Sequence, residues 1–131
     1  MKKWLLVFLL IGTAQAACPA HPGHMLNGQV RQPTSLQPVC GPIFTAFKSG
    51  FKNDSVIKWT ELYAIDNTAN AGELGRKMIT TIANLGFTKI QDRAPSSTEH
   101  IYGYMNASTR KVITMYMIVM NDSVYVSLTG N

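Results

Sequence analysis

The sequence has no apolar segment long enough to cross a membrane as a helix, and it carries few charges. Its longest unbroken apolar run, residues 4–11, is far shorter than the roughly 20 residues that a spanning helix needs. Charged residues make up only 15% of the chain, and the formal net charge is +5. A nucleic-acid binder carries a much denser basic surface. We therefore expect neither a transmembrane segment nor a nucleic-acid partner.

The motifs of common enzyme classes are also missing. The chain contains no Gly-x-Ser-x-Gly sequence and no nucleotide-binding glycine-rich loop, and it has three histidines. A small hydrolase would have to combine His100 with Glu61, which interrupts the apolar side of its predicted strand. Burial would raise the pKa of such a carboxyl and suit it to proton transfer. Carboxylates of this kind are more often partners in ion pairs, so we expect a non-enzymatic protein without a cofactor.

The first sixteen residues have the three-part pattern of a cleavable secretory signal. Lys2 and Lys3 precede the apolar run, and Ala14-Gln15-Ala16 supplies the small residues of a cleavage site. We expect cleavage near Ala16 and a secreted or periplasmic protein. Lipidation at Cys18 is an alternative that Gln15 does not favour, because that chemistry usually requires a leucine three positions before the cysteine.

Residues 17–41 are rich in proline and glycine and lack apolar periodicity over most of their length, which predicts an irregular arm. The chain's two cysteines, Cys18 and Cys40, lie near its ends. In an oxidising compartment they are expected to form a disulfide. The alternative is a metal site built from Cys18, His21 and His24 at spacings of three residues, with zinc or copper as the candidate ions. The two uses exclude each other, because a disulfide-bonded cysteine is not a thiolate ligand.

Residues 42–131 are predicted to form a single α+β domain. Pro42 suits the start of a short helix over about 42–49. A main helix over about 70–86 is indicated by apolar residues recurring at helical spacing, by a possible cap at Asn70 and by Gly86 at its end. The remaining segments alternate as strands. Helix, strand and helix followed by four strands indicate an antiparallel sheet of four to five strands with the main helix on one face.

The last hairpin predicts which face of the sheet is buried. A turn at Asn121-Asp122 sets Val119 opposite Val124, which gives one face that is apolar throughout. That face, expected under the main helix, carries Ile113, Met115, Met117, Val119, Val124, Val126 and Leu128.

The alternation of the preceding strand offers two choices. Assigning Ile101, Gly103 and Met105 to the core face places four tyrosines together on the opposite face, namely Tyr102, Tyr104, Tyr116 and Tyr125. The short helix, the arm or a second copy of the chain could cover such a face, since tyrosine favours half-buried sheet surface. Left open, the face could bind a small ligand, a peptide or a glycan by stacking. The leading expectation is therefore an exported binding or interaction module that uses these tyrosines, with the metal protein and the hydrolase as alternatives.

Overall fold

A computed structural model describes residues 18–51, 53–65, 69 and 71–131. The predicted signal peptide, residues 1–16, lies outside the described residues, as does the predicted helix cap Asn70. No helix among the described residues is long and apolar enough to span a membrane.

The described chain is an α+β structure, as predicted, with two helices and eight strands. The helices are α1 (Pro42–Ser49) and α2 (Ala71–Asn84). The strands are β1 (His24–Met25), β2 (Val30–Arg31), β3 (Leu36–Pro38), β4 (Trp59–Ile65), β5 (Thr88–Ser96), β6 (Glu99–Asn106), β7 (Lys111–Met120) and β8 (Ser123–Gly130). Six of the strands form one antiparallel sheet in the order β3-β4-β8-β7-β6-β5.

The sheet has more strands than the four to five predicted, because the proline-rich segment contributes to it. Within that segment β1 and β2 form a small hairpin, and β3 pairs with the end of β4. Sequence periodicity cannot show strands of two or three residues, which exist because they find backbone partners in the fold.

Both helices begin and end close to the predicted residues. Pro42 occupies the start of α1, directly after Gly41, whose φ of 82° turns the chain out of β3. At the other end, Phe51 folds back so that its ring meets Phe47 edge-on at 5.1 Å. Glu73 lies in the first turn of α2, where a carboxylate is favoured by the helix dipole, and Gly86 follows α2 with a φ of 93°.

The core lies between α2 and the face of the sheet predicted from the last hairpin. Leu74, Met78 and Ile82 of α2 are buried against that face. Met115, Val126 and Leu128 are the central sheet residues and are fully buried. The hairpin turn has positive φ at both Asn121 and Asp122, and the predicted register is confirmed. Val119 is the exception, because it lies close to the turn and is 45% exposed.

The predicted alternation of β6 is wrong. The β6–β7 loop aligns Asn106 with Lys111, so that Tyr104 lies opposite Ile113 and Tyr102 opposite Met115. Cross-strand partners share a face, and these tyrosines therefore point to the α2 side of the sheet. Tyr104 is only 1% exposed, whereas Met105, assigned to the core by its apolar character, is 38% exposed.

Candidate functional site

A cleft of about 1200 Å³ lies beside β4 in the described part of the chain. Its walls come from the arm, from α1, from residues 51, 54, 57 and 58, and from β4 itself. Most of the lining surface is apolar, although the residues that contribute to it are both apolar and polar. They include Phe44, Phe51, Ile57, Trp59, Leu62 and Tyr63, together with His21, His24, Lys48, Asp54, Lys58, Thr60 and Glu61.

The cleft exists because β3 pairs only with the last residues of β4 and turns away before it reaches the first ones. Pairing stops at Pro38 opposite Tyr63, with one further hydrogen bond from the Val39 N–H to the Leu62 carbonyl oxygen at 2.8 Å. The chain then turns away at Gly41 and enters α1. The first residues of β4, beginning at Trp59, are thus paired with β8 on one side and border the cleft on the other.

Glu61 holds the arm against β4. Its two carboxylate oxygens accept the backbone N–H groups of Leu26 and Asn27, each at 2.8 Å. Both residues have left-handed backbones, with φ of 54° and 58°, a conformation that is uncommon outside glycine. Leu26 is nevertheless fully buried in the core. Charge-assisted hydrogen bonds to consecutive N–H groups stabilise this unusual turn and fix the wall of the cleft that it carries.

Tyr63 also contributes to the hydrogen bonds around Glu61. Its hydroxyl donates to Glu61 Oε1 at 3.2 Å, and burial, followed by the negative charge of Glu61, raises the pKa of Tyr63 well above its usual value. The phenol therefore stays protonated and remains a donor to the carboxylate. Glu61 thus acts as a structural acceptor in this arrangement.

The predicted disulfide is present and closes the same wall. Cys18 and Cys40 are bonded across a sequence separation of 22 residues. Cys18 is consequently neither a thiolate ligand nor a thioether-linked lipid anchor, so the ligand set Cys18, His21 and His24 is wrong for this structure.

The two histidines of the arm make hydrogen bonds to the arm itself. His21 Nε2 is hydrogen-bonded to Asn27 Oδ1, and His24 Nδ1 to the carbonyl oxygen of Pro22. Within the described ranges, no group of three or more His, Cys, Asp or Glu residues could hold a metal ion.

The hydrolase pair is also separated by the fold. Glu61 lies on β4 and His100 on β6, with β8 and β7 between them. At about 4.8 Å per strand this is a distance of roughly 14 Å, too far for a shared proton. His100 instead contacts Asp92 through Nε2 at 2.5 Å and stacks on Tyr102 with ring centroids 4.1 Å apart. Hydrogen bonds from Lys89 and His100 lower the pKa of Asp92, in an exposed network at the far edge of the sheet.

The four tyrosines proposed as one binding surface lie on two faces. Tyr102 and Tyr104 face α2, with their rings 6.5 Å apart. Tyr116 and Tyr125 lie on the opposite face, where they border an apolar cavity of about 150 Å³ beneath Ile43 and Phe47 of α1. The short helix therefore covers part of that face, which was one of the alternatives raised by the sequence. Ligand binding by Tyr116 and Tyr125 stays a prediction, whereas a common platform of all four is wrong.

Sequence reasoning missed the residues that form the cleft. Phe44 lies on α1 and Trp59 at the start of β4, in elements that the sequence predicts separately. Their shared role depends on where the arm turns, which no periodicity reveals. One signal was available in the sequence, namely that Gly41-Pro42 follows directly on the second cysteine of the arm. A turn at that point takes the chain away from the neighbouring strand and leaves a space beside the edge of that strand.

Comparisons of the chain with known protein families, with curated proteins and with solved structures find no match.

Proposed function

We propose that this protein is an exported, non-enzymatic binding module whose ligand occupies the cleft beside β4. The observation that carries the proposal is the cleft of about 1200 Å³, walled by aromatic side chains from three different segments. Ligand sites in proteins are concave, mostly apolar and furnished with a few polar groups, and they are usually on the order of 300–1000 Å³. The cleft is likewise concave and mostly apolar by surface area, with a slightly larger volume.

The rigid construction of the cleft supports binding over a merely incidental hollow. One wall is held by the Cys18–Cys40 disulfide and by the hydrogen bonds to Glu61. Another is the strand β4, which is paired with β8 along its whole length. A site whose walls are fixed before the ligand arrives loses less conformational entropy on binding.

The aromatic residues suit a ligand with an apolar or aromatic body. Phe44, Phe51 and Trp59 all line the cleft. Their rings offer large contact area with few rotatable bonds, which is why such residues are enriched where binding energy is concentrated.

Export is part of the proposal. Residues 1–16 have the pattern of a secretory signal, and a disulfide is typical of an oxidising compartment. Intact mass spectrometry of the protein recovered outside the cytoplasm should give a chain that begins at Ala17 and is two hydrogens lighter than its fully reduced form. A recovered chain that still contains residues 1–16 contradicts the export mechanism proposed here.

The binding proposal can be tested with a fluorescent anionic probe, anilinonaphthalene sulfonate, added to the folded protein at neutral pH. With the signal removed, Trp59 is the one tryptophan left in the chain, so its emission reports on the cleft. We expect saturable binding with quenching of Trp59. The Phe44→Ala, Phe51→Ala variant should bind the probe about tenfold more weakly, whereas Ile90→Ala should not change binding. Ile90 is an apolar residue that is 58% exposed on β5, away from the cleft.

Two results would contradict the binding proposal. If the Phe44→Ala, Phe51→Ala variant keeps its thermal stability and binds the probe as tightly as the unchanged protein and Ile90→Ala do, the cleft is not the binding site. Absence of any saturable quenching of Trp59 contradicts the proposal as well.

A further inference from the structure

We infer that the ligand of the cleft is an extended peptide segment with an acidic side chain, which pairs with β4 at Thr60 as an added strand. The inference rests on the proposed function, because it assigns a ligand class to the same cleft. Peptides that add to a sheet edge gain affinity from backbone hydrogen bonds and specificity from alternate side chains.

The register shows which backbone groups of β4 border the cleft. The Leu62 carbonyl accepts from Val39, so the backbone of Leu62 faces the β3 side of β4. Backbone groups alternate between the two sides of a strand, and Thr60 therefore presents its N–H and C=O to that same side. Continuing the β3–β4 register would bring Gly41 opposite Thr60.

Gly41 does not take that place. Its positive φ directs the chain into α1, and its carbonyl oxygen accepts the N–H and the hydroxyl of Thr45, each at 3.0 Å. The β-pairing of Thr60 on this side thus ends where the cleft begins. An extended peptide would offer an acceptor to the N–H of Thr60 and a donor to its C=O, in the position that a longer β3 would occupy.

The side chain of Thr60 gives an independent indication. Its hydroxyl oxygen is shielded from solvent and has no hydrogen-bond partner among the described residues. A shielded polar atom without a partner costs free energy in the unliganded protein, typically about 1–3 kcal/mol. A bound peptide that moves the groups shielding this oxygen and brings a donor to it would recover that cost.

The two sides of the cleft suit alternate side chains of a strand. A peptide residue opposite Thr60 would point to the side where Phe44 and Lys48 of α1 lie, while its neighbours would point toward His21 and His24 of the arm. The pairing geometry therefore leads to one apolar and one more polar subsite.

The charges in the cleft favour an acidic peptide. Neither Lys48 nor Lys58 has an ion-pair partner within the described residues. Of the two carboxylates in the lining, Glu61 has both oxygens engaged by backbone N–H groups, and Asp54 accepts the N–H of Val56 through Oδ1. Lys48 and Lys58 thus outnumber Asp54, the one carboxylate of the lining that is not engaged through both oxygens, and an aspartate or glutamate of the peptide is complementary to the two lysines.

The test uses pools of capped octapeptides with varied apolar residues and two aspartates, two lysines or neither. Hydrogen exchange of the Thr60 amide is followed by NMR, and Trp59 emission is followed in parallel. We expect the acidic pool to slow exchange at Thr60 about tenfold or more, and an acidic pool N-methylated at alternate residues to have no effect. The Lys48→Glu, Lys58→Glu variant should lose affinity for the acidic pool by about tenfold. The Lys77→Glu, Lys111→Glu variant makes the same change of net charge at exposed positions outside the cleft and should keep that affinity.

Several outcomes overturn the inference, and they separate it from the proposed function. Probe binding in the cleft without slower exchange at Thr60 in any pool refutes the peptide ligand and leaves the binding module intact. Loss of both refutes the two together. Equal binding of the N-methylated pool, or preference for the basic pool, also refutes the added acidic strand. Protection of Thr60 that rises with protein concentration in the absence of peptide would identify the occupant as a second copy of the chain.

Discussion

The indole ring of Trp59 lies directly against the Cα of Gly130, its cross-strand partner at the start of β4 and the end of β8. A Cβ added to Gly130 would overlap the ring atoms of Trp59. Because Gly130 has no side chain, the indole of Trp59 can lie flat on the sheet at the floor of the cleft. Such close approach is a common reason for glycine within a strand.

Substitution of Gly130 by alanine should displace Trp59. We expect Gly130→Ala to lower the free energy of unfolding by about 1–3 kcal/mol, because the ring must leave its position. The emission maximum of Trp59 should shift to longer wavelength as the ring enters water. Gly72→Ala is the matched control, since the nearest atom to its added Cβ lies 3.7 Å away on Arg76. Equal stability and emission for Gly130→Ala and the unchanged protein would contradict the packing described here.

The hydrogen bonds from the Leu26 and Asn27 N–H groups to Glu61 predict a local effect on the arm. A glutamine at position 61 keeps the shape of the side chain but replaces one acceptor oxygen by an amide donor, which would face a backbone N–H. We expect Glu61→Gln to destabilise the fold by about 2 kcal/mol and to speed hydrogen exchange at the Leu26 and Asn27 amides. Glu73→Gln, an exposed change in the first turn of α2, should leave those two amides unaffected. Unaltered exchange in Glu61→Gln would show that the carboxylate does not hold the arm.

Removing the Cys18–Cys40 disulfide should lower the stability of the protein and weaken probe binding in the cleft. Replacing Cys18 and Cys40 together by serine opens a loop spanning 22 residues. The chain-entropy treatment gives a loss of roughly 3 kcal/mol for a loop of this size. Chemical denaturation of the double variant should reveal that loss, and the fluorescent probe should bind more weakly because one wall is no longer fixed. Full stability of the double variant would mean that β3 and Glu61 hold the arm without the bond.

The parts of the fold that followed from the sequence are those with long, consistent periodicity. The stripe of α2 and the alternation of β7 and β8 each repeat over several residues, and each confines its apolar side chains to one face. Pro42 begins α1 for a conformational reason that does not depend on the rest of the chain, because its fixed φ suits the first helical position.

The parts that did not follow depend on which partner a residue meets in space. In β6 both alternations contain apolar groups, and the phenol rings fill the core as well as Ile101 and Met105 could. Only the alignment of Asn106 with Lys111 decides between them. The candidate site was missed for a similar reason, because it arises where β3 parts from β4 and each strand on its own carries no sign of that separation.

The buried phenol of Tyr104 makes the pH dependence of stability predictable. Its hydroxyl has no hydrogen-bond partner among the described residues, and burial, with smaller contributions from Tyr102 and Asp92, raises the pKa of Tyr104 to about 12. In the unfolded chain the phenol loses its proton near pH 10. A raised folded pKa means that its contribution to stability is complete below pH 10 and is lost as the pH rises toward 12, by up to about 1.4 kcal/mol per unit.

Replacing Tyr104 by phenylalanine should remove that part of the alkaline loss. At pH 7 the variant should be as stable as the unchanged protein or more stable, because it removes a buried hydroxyl without a partner. Urea denaturation at several pH values between 7 and 11 would measure both effects. Tyr63→Phe is the instructive comparison: Tyr63 also has a raised pKa, but its hydroxyl donates to Glu61, so the variant should lose about 1 kcal/mol at pH 7. A Tyr104→Phe protein that is clearly less stable at pH 7 would show that the hydroxyl has a partner after all.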